Sequence, residues 1–543
     1  METFLLDKRY KYILKMIKEL SKTASKELSI IELHNKLDIS KKTIKSYFEV
    51  LQRYCQDREL ETFTLENGKV KMSQNTNFNI YEFYNYCSQD SVKYQIMLSI
   101  LNNPQITFTN LYLDLAISKS NCSHHIKQLN DLFTAYNCKL NFSNANPIQG
   151  DHHQIRFLFY NLFWGIDQDK IIIDSSSLDA VSHFLLDIIP TMTYTTLSKI
   201  RLAFYIFQVA SKYGVYVDPE VDFTIQDSPF ITYDNFFKKI DELDFLEYCP
   251  DLATKQTESR YLYFLFCRHN LLTLDDSERL SDKIAYTNDP NVQYLMTTFE
   301  EHFQITLSDP EVRCLSTNLS LFFKESSVFH GRAKTFALER LVNIFNNTNE
   351  QSATSINIFL EEVYENNQAI MSLVQNFPSL HPYCMMTLRV IIAKHMTPIK
   401  LLVQSSISTL HQEAIVSQIR NSTPFPITIY SFNQLNGEKP DGIISNWLPD
   451  KKLSDVPFFS ISYFFTEWNK ADLSNFLNQL ATKKMIRTTE NREQRTENRE
   501  QRTENREQRT ENREQRTENR EQRTENREQR TEPLKQSRKR KSR

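Results

Sequence analysis

Glycine is nearly missing: seven residues in 543. Because glycine alone enters left-handed backbone at no steric cost, tight turns must be few, which disfavours turn-dense sandwiches and Gly-rich nucleotide loops and favours long helices. No apolar run nears the roughly 18–20 residues of a membrane helix, and the charges scattered through METFLLDKRYKYILKMIKEL break the order of a secretory leader. A cytoplasmic protein with no membrane partner is expected. The eight cysteines, Cys55, Cys87, Cys122, Cys138, Cys249, Cys267, Cys314 and Cys384, include no C-x-x-C, so neither a zinc site nor a disulfide framework is indicated. His124-His125 and His152-His153 are adjacent pairs whose rings point apart, and no Walker loop, GxSxG or HExxH occurs. The reading is therefore no enzyme, no metal and no cofactor.

What the chain does carry is a pattern written twice. Leu28–Leu51 and Ile106–Leu129 superpose at a fixed offset: Ile30 meets Phe108, Leu33 meets Leu111, and Leu37-Asp38-Ile39-Ser40-Lys41 meets Leu115-Ala116-Ile117-Ser118-Lys119. Phe48 then meets Ile126, and Leu51 meets Leu129. Each segment reads as a helix-turn-helix. In the first, Ser29 caps a helix carrying Ile30, Leu33 and Leu37, and Ser40 caps a second whose inward face is Ile44, Tyr47, Phe48 and Leu51. Lys41, Lys42, Thr43, Lys45 and Ser46 are left facing out. Asn67-Gly68, between the alternating Leu60–Leu65 and the returning Val70–Met72, is a strong hairpin signal and predicts a wing, with Lys69 on it. The plain alternative is a small helical domain with a hairpin. Within Met1–Tyr54 twelve Lys/Arg stand against seven Asp/Glu, a basic field suited to phosphates that the net charge of -2 hides. In the second unit Lys119, Ser120, Asn121, Ser123, His124 and Lys127 face out, and a strand pair is expected across Lys139–Phe142 and the NANP turn.

The remainder is modular, as a chain of this length requires. A helix over residues 4–20 precedes the first unit, and one helical stretch over 78–103 precedes the second. The boundaries expected are winged units at 1–75 and 76–150, helical modules at 151–280 and 281–396, a small α/β domain at 397–485, and a tail at 486–543. In the α/β text, strands are predicted at Lys400–Val403, Ile427–Phe432, Gly442–Ser445 and Phe458–Phe464, with helices at Thr409–Asn421 and Ala471–Leu480. The tail repeats TENREQR in six copies from Thr489 to Arg530. No copy has an apolar residue to form a coiled-coil seam, and a helix would align Glu490 with Glu493 and Arg492 with Arg495, so a disordered tether is expected. The closing Lys535–Arg543 run reads as a weak DNA contact or a solvated end.

This order of paired winged units, two helical modules and a terminal α/β domain resembles the Mga family of transcription regulators from Gram-positive bacteria. The likeness covers about residues 1–485. It implies central modules similar to phosphotransferase regulatory domains (PRD) and a terminal domain similar to the EIIB subunit of sugar permeases. Where such modules place a phosphorylatable histidine, eleven residues before Gly214, this chain has Ala203. His183, His269, His302 and His330 remain as candidate phosphoacceptors for a phosphotransferase-system phosphodonor, each weighed against a structural role. An EIIB subunit needs a cysteine just after its first strand, and here Gln404-Ser405-Ser406 stands there. That domain is read as a scaffold for a homodimer or higher oligomer.

The expectation is thus a mainly α transcription activator that binds promoter double-stranded DNA through two winged units, the first carrying most of the affinity. Two readings compete with it. One is a phosphotransfer-coupled sensor that acts through protein association; the other is an RNA-binding antiterminator.

Overall fold

The computed structural model describes residues 5–23, 25–60, 62–73, 78–143, 146–164, 171–172, 176–331, 351–395, 398–406, 409–421, 427–430, 439–447, 453–461, 472–473, 475–477 and 479–480. The TENREQR tail lies outside them. The chain falls into two compact units, one of Met1–Thr348 with Ala353–Ile391 and the other of Asn349–Ser352 with Ile392–Arg543. It is mainly helical, and no helix among the described residues is long and apolar enough to cross a membrane.

The first unit opens with α1 (Lys8–Lys22), β1 (Glu27–Ser29), α2 (Ile30–Leu37), α3 (Lys41–Gln56), β2 (Phe63–Glu66) and β3 (Lys69–Met72). Burial at Ile13, Leu14, Ile17 and Leu20 of α1 follows the helical period, and these side chains share a core with Leu33, Leu37, Ile44, Phe48 and Leu51. The strands form an antiparallel sheet in the order β1-β3-β2, with Leu28 opposite Val70 and Phe63 opposite Met72. Sequence periodicity places α1 at 4–20, whereas the helix starts at Lys8 because Asp7 takes extended backbone as its N-cap, with Leu5 and Leu6 buried ahead of it. The polar connector before Leu28 likewise hides β1, which exists through its pairing with β3.

Next come α4 (Ile80–Gln89), α5 (Val92–Asn102), α6 (Phe108–Asp114), α7 (Lys119–Phe133), β4 (Lys139–Leu140), β5 (Ile148–Gln149) and α8 (His152–Phe163). The single helical stretch expected over 78–103 is two helices. Asp90-Ser91 divides them, because Asp90 accepts from Arg9 at 2.5 Å and Tyr10 at 2.7 Å while buried Ser91 donates to the Leu5 carbonyl. The strand pair is also shorter than Lys139–Phe142: Asn130 holds both the N–H and the C=O of Leu140, and beyond it one more cross-strand bond, Asn141 N–H to the Pro147 carbonyl at 2.7 Å, closes the pair.

The rest of this unit comprises α9 (Ser176–Ile188), α10 (Tyr194–Lys212), α11 (Tyr233–Glu242), α12 (Leu252–His269), α13 (Leu274–Arg279), α14 (Pro290–Phe303), α15 (Asp309–Val328), α16 (Gln351–Asn366), α17 (Gln368–Asn376) and α18 (Leu380–His395). The apolar stripes at 200–210, 261–266, 314–323 and 385–393 supply core, with Phe204, Phe207, Phe264, Phe266 and Leu315 withdrawn from water. Within the aromatic stripe Arg268 reaches Glu325 at 2.6 Å, tying α12 to α15.

The second unit holds β6 (Ile399–Gln404), α19 (Thr409–Asn421), β7 (Ile427–Tyr430), β8 (Gly442–Ser445) and β9 (Phe458–Ser460). All pairings are parallel, in the order β7-β6-β8-β9. Leu401, Val403, Ile415, Ile419, Ile444, Leu473 and Leu477 form its core. The last strand ends at Ser460, short of the expected Phe464, although residues 462–464 lie outside the described set. Gly442 packs closely under the Leu480 side chain, whose terminal methyl would have to move to admit a Cβ there.

Candidate nucleic-acid interface

Each reading helix is aimed by the turn before it. Ser29 closes a capping box with Glu32, and Asp38 then takes left-handed backbone with φ 52°. His34 Nδ1 bonds the Ile39 carbonyl at 2.7 Å, and Ser40 caps α3 through the Thr43 N–H at 3.1 Å. The second unit repeats this frame: Thr107 caps α6, Ala116 is left-handed with φ 50°, and Ser118 caps α7 through the Asn121 N–H at 3.1 Å. Asp38 and Ala116 are the two residues the sequence superposition places together, so the shared pattern is a shared backbone.

Lys41, Lys42, Lys45 and Ser46 are exposed on α3, and Thr43 is half-buried. The Thr43 hydroxyl is already engaged by Ser40 Oγ at 2.7 Å, so reading a base edge with it means giving up that bond. Ion pairing separates the lysines into two groups. Lys22 and Lys36 are paired with Glu19, and Lys69 and Lys71 with Glu27. Among the described residues, Lys41, Lys42 and Lys45 have no acidic partner. Three unneutralised ammonium groups within two turns of one helix form a field that only an external anion balances. The wing turns at Asn67-Gly68, both with positive φ, and Lys69 is exposed but held by Glu27 at 2.8 Å.

On α7, Lys119, Ser120, Asn121, Ser123, His124 and Lys127 are all exposed on one outward surface. His124 Nε2 lies 2.7 Å from the Gln128 amide and stacks edge-on against His125 at 5.6 Å, while burial holds the His125 pKa below its ordinary value. This face is less charged than α3 and richer in neutral hydrogen-bonding groups.

The candidate phosphoacceptors are not gathered into a site. His183 is exposed on α9; His302 is exposed on α14, 3.5 Å from Glu362 and against Phe359. His269 stacks 5.0 Å from Tyr160, and burial, then Arg268 and Lys199, hold its pKa well below the ordinary value. His330 is half-buried, and its backbone is paired with the Gln154 side chain. All eight cysteines are buried, and burial pushes Cys55 up to about 11 and Cys249 and Cys384 up to about 12, far from reactive thiolates. Among the described residues no three His, Cys, Asp or Glu converge as metal ligands.

Two capped helix pairs with outward basic or hydrogen-bonding second helices, each followed by an antiparallel strand pair, define a DNA-binding regulator of the helix-turn-helix class. Residues 76–163 match the family model of the Mga helix-turn-helix domain. The match covers the second unit and runs on through α8, past the expected boundary at 150. No curated protein matches the chain.

Proposed function

We propose that the protein is a transcription activator that binds promoter double-stranded DNA through α3 and α7, with the hairpin after α3 against the neighbouring phosphates. The observation that carries this reading is the trio Lys41, Lys42 and Lys45, exposed and without acidic partners among the described residues. These lysines, with Lys69, Lys119 and Lys127, supply phosphate affinity. Ser46, Ser120, Asn121, Ser123 and His124 are the residues for base edges, with Thr43 once released from Ser40. Replacing the trio with alanine weakens promoter binding and flattens the plot of log affinity against log salt by up to about 0.9 for each phosphate no longer neutralised. Unchanged affinity and slope reject the assignment.

In this proposal the second unit of the fold is a domain similar to EIIB that serves self-association, giving a homodimer or higher oligomer. Its parallel order and the exposed Leu410 and Trp447 support that role, and Gln404-Ser405-Ser406 at the end of β6 offers no thiol for phosphotransfer. The helical modules link the regulator to sugar phosphotransferase signalling, with exposed His183 and His302 the acceptors a phosphodonor reaches most readily. Mass measurement after incubation with phosphohistidine donor proteins tests that step. A chain that stays unphosphorylated overturns it without touching DNA binding.

A further inference from the structure

A polar cavity lies between the 224–230 loop, the end of α12, the 287–289 loop and one face of α15, and encloses about 260 Å³. A volume of that order holds a molecule the size of one sugar ring, well beyond one or two waters. Its walls mix an apolar floor, with Phe230 and Leu272, and a dense set of short polar groups.

Most of those groups are half-used. Asp227 Oδ1 accepts from the Tyr233 N–H at 2.8 Å, and Asp289 Oδ1 accepts from the Asn291 N–H at 2.8 Å; among the described residues each Oδ2 has no bond. The Thr317 hydroxyl is buried with no hydrogen-bond partner among them. Leaving a buried hydroxyl without a partner is unfavourable, so its place in a cavity wall marks where an outside group completes the bond. The wall's cation, Lys324, is already neutralised by Asp222 at 2.7 Å, which leaves the lining with acidic and hydroxyl character.

These features select a ligand. Free carboxylate oxygens accept O–H groups and repel anions, hydroxyls and the Asn270 amide both donate and accept, and an aromatic ring covers C–H surface. We infer that this seam binds a neutral polyhydroxylated small molecule, a single sugar ring or a short polyol. Because α15 and the 224–230 loop face each other across it, an occupant joins them, and its effect on promoter affinity rests on the function proposed above.

The binding step is tested on the full-length chain without DNA. Calorimetry and thermal melting are run with glucose, galactose, mannitol and sorbitol, and with glucose 6-phosphate as the anionic counterpart. At least one neutral compound is expected to bind and raise the melting temperature. The phosphate ester is expected to bind about tenfold or more weakly, given the two carboxylates. Thr317→Val keeps the volume and removes only the unpartnered hydroxyl. It should leave the empty protein at least as stable while lowering affinity about tenfold, and Asp227→Asn should also weaken binding. No binding by any neutral compound, stronger binding of the phosphate ester, or unchanged affinity in both variants overturns the inference. DNA binding is measured separately, so either result can fail alone.

Discussion

Arg156 and Glu258 meet as a bidentate ion pair shielded from water, Nη1 to Oε2 at 2.6 Å and Nη2 to Oε1 at 2.9 Å. Arg156 sits on α8, inside the segment matching the Mga helix-turn-helix domain, and Glu258 sits on α12, outside it. Glu258 also accepts the Val217 N–H at 2.8 Å, and Arg156 donates to the Val215 carbonyl at 2.9 Å. The pair therefore fixes the matched domain to the helices that follow. Removing one partner strands a buried charge, so Arg156→Met or Glu258→Leu should each cost about 3–5 kcal/mol in denaturant unfolding. The double replacement should cost much less than the sum. Additive losses would show that the two residues act apart.

A second tie runs from the end of α15 back to α8. His153 Nε2 lies 3.0 Å from the Val328 carbonyl, and the Gln154 side chain exchanges two bonds with the His330 backbone at 2.8 and 2.9 Å. Gly331 closes this strap with φ 94°, and a Cβ there would meet the Ala135 carbonyl and the Tyr136 ring, each at 2.9 Å. Gly331→Ala should destabilise by more than about 1 kcal/mol and speed amide exchange in α8. Wild-type exchange rates in α8 would mean the strap does not restrain that helix.

Acid should loosen the same region. Burial holds His153 below its ordinary pKa, and burial followed by Arg268 and Lys199 does so more strongly for His269. The unfolded chain then binds protons the folded chain refuses, so stability is full above about pH 6.5 and falls as pH drops from there toward the depressed folded values. Denaturant midpoints between about pH 8 and pH 5 should show that slope, and His269→Gln should make it shallower. A midpoint independent of pH over this range contradicts it.

Legibility from sequence followed the range of the interaction. Caps, turn and inward face of each helix pair are local, and Ser29, Ser40, Ile44, Phe48 and Asn67-Gly68 stand where their sequence context puts them. Thr409–Asn421 and Gly442–Ser445 are likewise the observed helix and strand. What stayed hidden depends on partners far along the chain. β1 needs β3, the break at Asp90-Ser91 needs Leu5, Arg9 and Tyr10, and Arg156 needs Glu258. The same holds for Lys69, whose charge reads as free until Glu27 is placed beside it.

The paired left-handed turns give a test of the superposition itself. Asp38 and Ala116 hold the same backbone, but a short polar side chain tolerates left-handed φ better than a Cβ with nothing to offer in return. Ala116→Gly should therefore stabilise by up to about 1 kcal/mol, the relieved strain exceeding glycine's extra unfolded-state entropy. Asp38→Gly should gain less. Thermal melts of both variants decide it; equal shifts would imply that residue type at this turn does not matter.

Glu27 offers the sharpest probe of the DNA assignment because substituting it changes no residue of the proposed binding surface. It pairs with Lys69 at 2.8 Å and with Lys71 at 3.5 Å, and Glu66 stands 3.8 Å from Lys71, so the two wing lysines face two carboxylates in the free protein while the α3 lysines pair with none among the described residues. A phosphate approaching the wing must displace Glu27 first. Glu27→Gln frees Lys69, leaves Lys71 to Glu66 alone and removes a repelling carboxylate, so affinity for duplex DNA should rise at low salt and its salt slope should steepen by roughly one for each additional phosphate neutralised. Lys45→Ala should act in the opposite sense, and Lys69→Ala in the otherwise native chain should do so more weakly, because Lys69 must leave Glu27 before it meets a phosphate. If Glu27→Gln leaves the salt slope where it was, the hairpin does not lie against the backbone, and α3 binds without a wing.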